Sequence, residues 1–184
     1  MNEINTLRQE TIYLAGGCFW CTEAVFQRVR GVLRVQSGYA NGHVDQPSYE
    51  QVCQGDTGHA EAVEVVFDPA VITLEAILEV FFGTHDPTTL NRQGNDVGEQ
   101  YRSGVYTTSE TQHARVLHFV QQLSEDRIFD RPIVTEVAPL RAWWPAEAYH
   151  ADYFNRNPQQ GYCAYVVAPK VLKFQQYFKR YAAQ

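Results

Sequence analysis

The chain has 184 residues, 45% of them hydrophobic, 13% aromatic and 20% charged, enough to bury one core without metal or disulfide staples and too apolar for extended disorder. Twenty-one acidic residues against fifteen basic ones give a net charge of -6, the wrong sign for a protein that works on phosphate backbones or anionic lipid, so neither nucleic acid nor membrane is an expected partner. No run approaches the roughly 18 apolar residues of a membrane span. The first residues, MNEINTLRQET, carry no apolar leader, so the expected location is cytoplasmic.

No repeat or linker divides the chain, and a single domain over residues 1–184 is expected, with its core at about 11–167. Residues 11–15, TIYLA, are β-prone and stop at Gly16-Gly17, after which apolar residues at helical spacing (Phe19, Cys21, Ala24, Val25) predict a helix over 18–28. Strands are predicted over 32–39 and 60–67, the second alternating as AEAVEV. Thr73 can cap a helix running to residue 82, where Leu74, Ile77, Leu78 and Phe81 share a face. Residues 84–100, THDPTTLNRQGNDVGEQ, are polar and aperiodic, and a loop that long inside a compact domain is usually functional. A strand over 104–108, a helix over 109–127 and a strand over 133–138 follow. Trp143-Trp144-Pro145 then opens a short helix over 147–155, RNPQQGYCAY is turn-rich, and residues 170–182 form a basic amphipathic helix. Strands and helices without strict alternation predict an α+β (mixed α/β) fold, a central mixed sheet flanked by helices.

Four cysteines, Cys18, Cys21, Cys53 and Cys163, are too few and too scattered for a disulfide scaffold. Cys18 follows a glycine turn at the start of a helix. Backbone N–H groups and the helix dipole favour a thiolate there, and the glycines permit close approach of a substrate. Cys18 and Cys21 also form a C-x-x-C pair, which keeps a general dithiol–disulfide oxidoreductase open as an alternative. Thioredoxin-type βαβ context is missing around the pair. His113 and His118 lie within metal-ligand spacing of each other but far from the cysteines in sequence, so no metal is expected.

Taken in order, Gly17-Cys18-Phe19-Trp20, Ser48-Tyr49-Glu50-Gln51-Val52-Cys53, Thr57-Gly58-His59-Ala60-Glu61-Ala62, Gln93-Gly94-Asn95-Asp96, Gln100-Tyr101-Arg102-Ser103 and Gly161-Tyr162-Cys163 resemble the peptide methionine sulfoxide reductase A family. The resemblance covers residues 11–167. It implies that Cys18 is the nucleophile and that Phe19 and Trp20 form an apolar pocket for the substrate methyl group. It further implies that Tyr49 and Tyr101 donate hydrogen bonds to the sulfoxide oxygen, that Glu61 protonates it, and that Asp96 supports the site through water. Cys163 would resolve the oxidised Cys18. Cys21 stands where many members have glycine, which adds a second candidate resolving thiol. Asn41 replaces a usual glycine in Gly38-Tyr39-Ala40-Asn41-Gly42, a change that Asn tolerates at positive φ.

The chemistry asks for the same parts. A thiolate attacks the sulfoxide sulfur, and the departing oxygen is a poor leaving group until protonated, so a carboxylic acid must stand within hydrogen-bond reach. Glu61 shares strand parity with Val63 and Val65, pointing it at the core where burial raises a carboxyl pKa, while Glu64 faces the other way, towards solvent. His59 and Cys53 are expected to be structural, Cys53 as a buried thiol, and Trp143 and Trp144 to anchor the core. The expected enzyme is a monomer that needs no cofactor. The resemblance implies that it reduces methionine S-sulfoxide, free or in oxidised proteins, through a sulfenic acid and an intramolecular disulfide, with a thioredoxin-type dithiol as its reductant. A non-catalytic binding module for methionine-like side chains, built on Phe19 and Trp20, is the remaining alternative.

Overall fold

The computed structural model describes residues 8–184; residues 1–7, which hold most of the start where no apolar leader is expected, lie outside them. Strand β1 (Glu10–Gly16) turns into helix α1 (Phe19–Phe26), followed by β2 (Val32–Ala40), α2 (Tyr49–Gln54), β3 (Ala60–Phe67) and α3 (Leu74–Gly83). The polar segment after α3 carries a small hairpin, β4 (Arg92–Gln93) and β5 (Asp96–Val97). Then come β6 (Ser103–Thr107), α4 (Glu110–Glu125), β7 (Glu136–Pro139), β8 (Trp143–Pro145), α5 (Tyr153–Arg156) and α6 (Ala168–Tyr177). Ser48, Thr73 and Ser109 cap α2, α3 and α4 by accepting from the amides of Gln51, Ala76 and Gln112. Each such cap contributes about 1 kcal/mol.

Six strands form one sheet in the order β7-β6-β1-β3-β2-β8, antiparallel except for the β6–β7 pair, so the sheet is mixed as the sequence predicts. Strand β3 lies between β1 and β2, and all eight of its residues are buried. Val63, Val65 and Phe67 face the helices with Ile12, Leu14 and Val105, and each fully buried side chain of this kind contributes about 1.5–3 kcal/mol. The other face gathers Tyr13, Ala15, Ala40, Ala60, Ala62 and Tyr106 beneath Trp143 and Leu140. The helices therefore cover one face, and the chain around 138–143 closes the other.

That closure corrects one expectation. Glu64 points away from Val63 and Val65 but does not reach solvent, being 8% exposed, because a central strand under cover on both sides has no wet face. Its carboxylate accepts from the Tyr13 hydroxyl at 2.7 Å and pairs with Arg34.

Two further elements differ from the sequence pattern. Trp143-Trp144-Pro145 pairs with β2 as an edge strand, and the helix expected over 147–155 is split into a 3-10 turn (Ala148–His150) and α5, broken at Asp152 with φ +56. The last helix starts near Gly161, ahead of the predicted 170, and passes through a π turn at Cys163–Val167 into α6. Pro169 lacks an N–H, which on sequence reads as a helix start; the wider π turn before it absorbs the missing bond. α6 ends at Tyr177, short of the predicted 182, and a 3-10 turn follows at Lys179–Tyr181. No helix among the described residues is long and apolar enough to cross a membrane.

Candidate active site

The glycine turn after β1 is built around packing. Gly17 has φ +92, and a Cβ there would lie 2.6 Å from the Gln93 side chain, so only glycine fits. Gln93, 7% exposed, accepts from the Asp86 amide and donates to the Asp86 carbonyl, tying the polar 84–100 segment against the start of α1. The space above this glycine is filled by Gln93, and approach of a substrate is not what it provides.

Cys18 is the N-cap of α1, with extended backbone (φ -55, ψ 125), and Cys21 lies in the first turn. Both thiols are buried, and they join Ala24, Cys163, Val167 and Val171 in one apolar cluster against which Trp20, Tyr101, Tyr153 and Tyr162 pack. Burial above all, then the neighbouring Cys21 and Glu61, push Cys18 well up, so the helix start does not by itself make it a thiolate. The neighbouring Cys18 draws Cys21 down, aided by Lys170 and Tyr162.

Glu61 projects from β3 to the same place, is 1% exposed, and accepts from the Phe19 amide at 3.2 Å through Oε1. Its Oε2 has no partner within the protein. Burial pushes its pKa up to about 8 against the bond from Phe19, so the neutral acid prevails at pH 7. Because Oε1 is engaged as an acceptor, the proton resides on Oε2, leaving one free O–H donor in an apolar site.

Tyr49 and Tyr101 flank this acid. The Tyr49 ring lies 6.4 Å from Phe19 and 4.5 Å from His150, while Tyr101 packs on the cysteine cluster. Burial and then the Glu61 charge raise both hydroxyls, which stay protonated donors throughout the neutral range. Asp96 enters from β5, and its Oδ2 accepts the Tyr162 hydroxyl at 2.6 Å; that hydroxyl is also 4.0 Å from Cys21 Sγ. Asp96 thus joins the site through a tyrosine. Trp20 stacks on Tyr153 with centroids 3.9 Å apart and planes 5° from parallel. Phe19 is fully buried beneath it, a floor rather than an exposed wall.

Cys163 is 0% exposed within the last helix, its amide held by Gln160 Oε1 at 3.0 Å, and so does not sit in a turn segment. Cys53, expected to be buried, is exposed beside Tyr49, since α2 turns it outward. His59 is structural: Nε2 bonds the Val44 carbonyl and Nδ1 accepts from Gly42. Among the described residues no group of three or more His, Cys, Asp or Glu side chains is placed to hold a metal ion.

Three residues escaped the sequence pattern. His150, 0% exposed, accepts from the Trp20 indole N–H at 3.0 Å through Nδ1, which fixes the Nε2–H tautomer. Tyr153 supports Trp20, and Tyr162 links Asp96 to Cys21. Tyr162 sits in a recognised string, where only its neighbour Cys163 drew attention; His150 and Tyr153 carry no spacing signal, because the segment that holds them is irregular.

The family model described as peptide methionine sulfoxide reductase matches residues 10–182. Peptide methionine sulfoxide reductase MsrA of Ralstonia nicotianae is 57% identical over 173 residues, covering 92% of this chain and 91% of the relative. Among solved structures, Mxr1 of Saccharomyces cerevisiae in reduced form superposes with a TM-score of 0.78 at 36% identity, over 86% of this chain and 91% of that one. The yeast protein in complex with Trx2 matches with a TM-score of 0.56 at 25% identity, over 81% and 87% of the two chains.

Proposed function

The chain belongs to the peptide methionine sulfoxide reductase family, and on that premise we propose that Cys18, Glu61, Tyr49 and Tyr101 are the groups that carry out its reaction. It is a thiol-dependent reductase of methionine sulfoxide, recycled by a thioredoxin. Cys18 Sγ attacks the sulfoxide sulfur. The Glu61 proton on Oε2 passes to the departing oxygen, and the two tyrosine hydroxyls hold that oxygen as charge develops on it. In the resulting sulfurane the hydroxyl passes from the methionine sulfur to Cys18 Sγ as the bond between the two sulfurs breaks, so methionine leaves and Cys18 is left as a sulfenic acid. A neighbouring thiol, Cys163 or Cys21, then displaces that oxygen as water and forms an intramolecular disulfide.

The observation that carries this reading is the buried Glu61 with one free carboxyl oxygen beside the Cys18 cap. Trp20, held by Tyr153 and His150, and Phe19 beneath it supply the apolar contact for the substrate methyl group. Asp96 acts by orienting Tyr162. Substrates are methionine S-sulfoxide residues in oxidised proteins and the free amino acid. The reductant is a thioredoxin-type dithiol, an assignment supported by the yeast relative's complex with Trx2. We place the enzyme in the cytoplasm as a single-domain monomer, where reducing conditions keep its four cysteines free. Chirally pure methionine sulfoxide with dithiothreitol tests the reading: turnover of the S epimer and none of the R is expected, and turnover of R alone would overturn it.

A further inference from the structure

Glu147 takes no part in the sulfoxide chemistry, yet its side chain holds two tyrosines beside the site. Resting on the reading of Tyr49 as a donor to the sulfoxide oxygen, we propose that Glu147 is a positioning residue: its carboxylate bridges β2 to the start of α2 and so sets where the Tyr49 hydroxyl meets that oxygen.

The bridge consists of two bonds, one to each carboxyl oxygen. Glu147 Oε1 accepts from the Tyr39 hydroxyl at 2.8 Å, and Oε2 accepts from the Tyr49 amide at 2.9 Å. Tyr39 is fully buried in β2, its ring centroid 5.8 Å from that of Phe19, which makes it a fixed point next to the site. Strand β8 places Glu147 itself. Pro145 pairs with Gly38, the Ala146 amide donates to the Ser37 carbonyl, and the Glu147 carbonyl then accepts from the His150 amide at 3.0 Å. One residue therefore grips, through its side chain, the helix that carries Tyr49 and, through its backbone, the turn that carries His150, against which the Tyr49 ring packs.

Helix α2 needs such a tether. Its six residues are too few to be stable as a helix alone, and Val52 is its one buried side chain. The capping box serves the amides of Ser48 and Gln51, so the Tyr49 amide at the helix start has no partner from its own element. Glu147 supplies one. Burial works against the charge on Glu147, but bonds from backbone amides, that of Tyr49 foremost, and from the Tyr39 hydroxyl outweigh it and hold the carboxyl below its usual range. At neutral pH both tyrosines thus bind a charged acceptor, which makes stronger hydrogen bonds than a neutral one.

Misplacing a group that stabilises the transition state by about 1 Å costs about 10²-fold in rate. The apolar contact of Trp20 and Phe19 with the substrate does not pass through Glu147. The expected signature is a loss of rate with little loss of affinity.

Because Tyr101 donates to the same oxygen, the effect is read in two backgrounds: Tyr101→Phe, where Tyr49 alone holds the oxygen, and Tyr49→Phe, where there is no hydroxyl to place. The single-turnover rate of methionine formation and the half-saturating sulfoxide concentration are measured in each. Glu147→Leu should slow Tyr101→Phe about 10²-fold, with half-saturation changed less than about threefold. It should slow Tyr49→Phe less than about threefold. Glu147→Gln should restore the rate in Tyr101→Phe, since the amide oxygen can accept from the Tyr49 amide while the NH2 group donates to the Tyr39 oxygen. Should Glu147→Leu lose its far-ultraviolet circular dichroism, Glu147→Asp serves the same comparison, its arm one methylene too short to reach both tyrosines. Equal losses in the two backgrounds, or no loss in Tyr101→Phe, overturn the proposal. A wild-type rate in the double variant Tyr49→Phe/Tyr101→Phe overturns instead the reading of the tyrosines on which it rests.

Discussion

The amide of Phe19 donates to Oε1 of Glu61 across 3.2 Å, a bond between the first residue of α1 and the middle of the sheet. It fixes which oxygen of the acid holds the proton. The carboxyl is buried, its other oxygen has no partner, and an unmade hydrogen bond of that kind costs about 1–3 kcal/mol, a cost that makes sense where a substrate oxygen completes the set.

Glu61→Gln should therefore keep substrate binding and lose turnover. The amide can donate a hydrogen bond from the same position but cannot protonate the oxygen, and loss of one general acid costs about 10²–10⁴-fold. Steady-state kinetics with free methionine sulfoxide should show kcat reduced in that range and KM little changed. Near-normal kcat between pH 6 and 8 would remove Glu61 from its role.

The raised pKa of Glu61 also sets a pH dependence with a definite sign. Its folded value of about 8 lies above the usual 4.5, so the stability associated with the neutral acid is complete below about 4.5 and is lost as pH rises through 8. Wild type should lose activity above pH 8 as the acid ionises. Its Tm should fall between pH 5 and 9 by more than that of Glu61→Gln, each kcal/mol shifting Tm by about 2–4 °C at this chain length. Parallel Tm curves for the two proteins over that range would contradict the assignment.

Cys18→Ser should abolish reduction and leave the fold intact, since a hydroxyl at the helix cap cannot attack sulfur as a thiolate does. Mass spectrometry of a single-turnover mixture should find no methionine, with the far-ultraviolet circular dichroism unchanged. Residual product at wild-type level would place the nucleophile elsewhere.

His150 positions Trp20 through the indole N–H, and removing the acceptor leaves that group buried and unpaired. His150→Leu should raise KM for methionine sulfoxide by about 5–150-fold, the equivalent of 1–3 kcal/mol, with kcat nearly unchanged. His150→Asn, which keeps an acceptor close to the Nδ1 position, should recover most of the loss. Identical kinetic constants for the two variants would reduce His150 to a packing residue.

Sequence alone determined the elements whose signals are local. The alternation of β3, the cap at Thr73 and the glycine stop before Cys18 are short-range steric and hydrogen-bonding rules, and they hold in the structure. The family strings located Cys18, Glu61, Tyr49, Tyr101, Asp96 and Cys163, and the fold collects all six around the start of α1 and the neighbouring strands. What sequence could not determine depends on which face is covered and on what each group touches. Glu64 is buried because chain from residues 138–143 closes a face that alternation marks as wet. Cys163 sits in a helix that starts near Gly161, although the turn-rich residues before it mark that stretch as a turn. Burial, more than the helix dipole, decides the ionisation of Cys18 and Glu61, and burial is a sum over residues distant in sequence that only the assembled sheet and helices bring together.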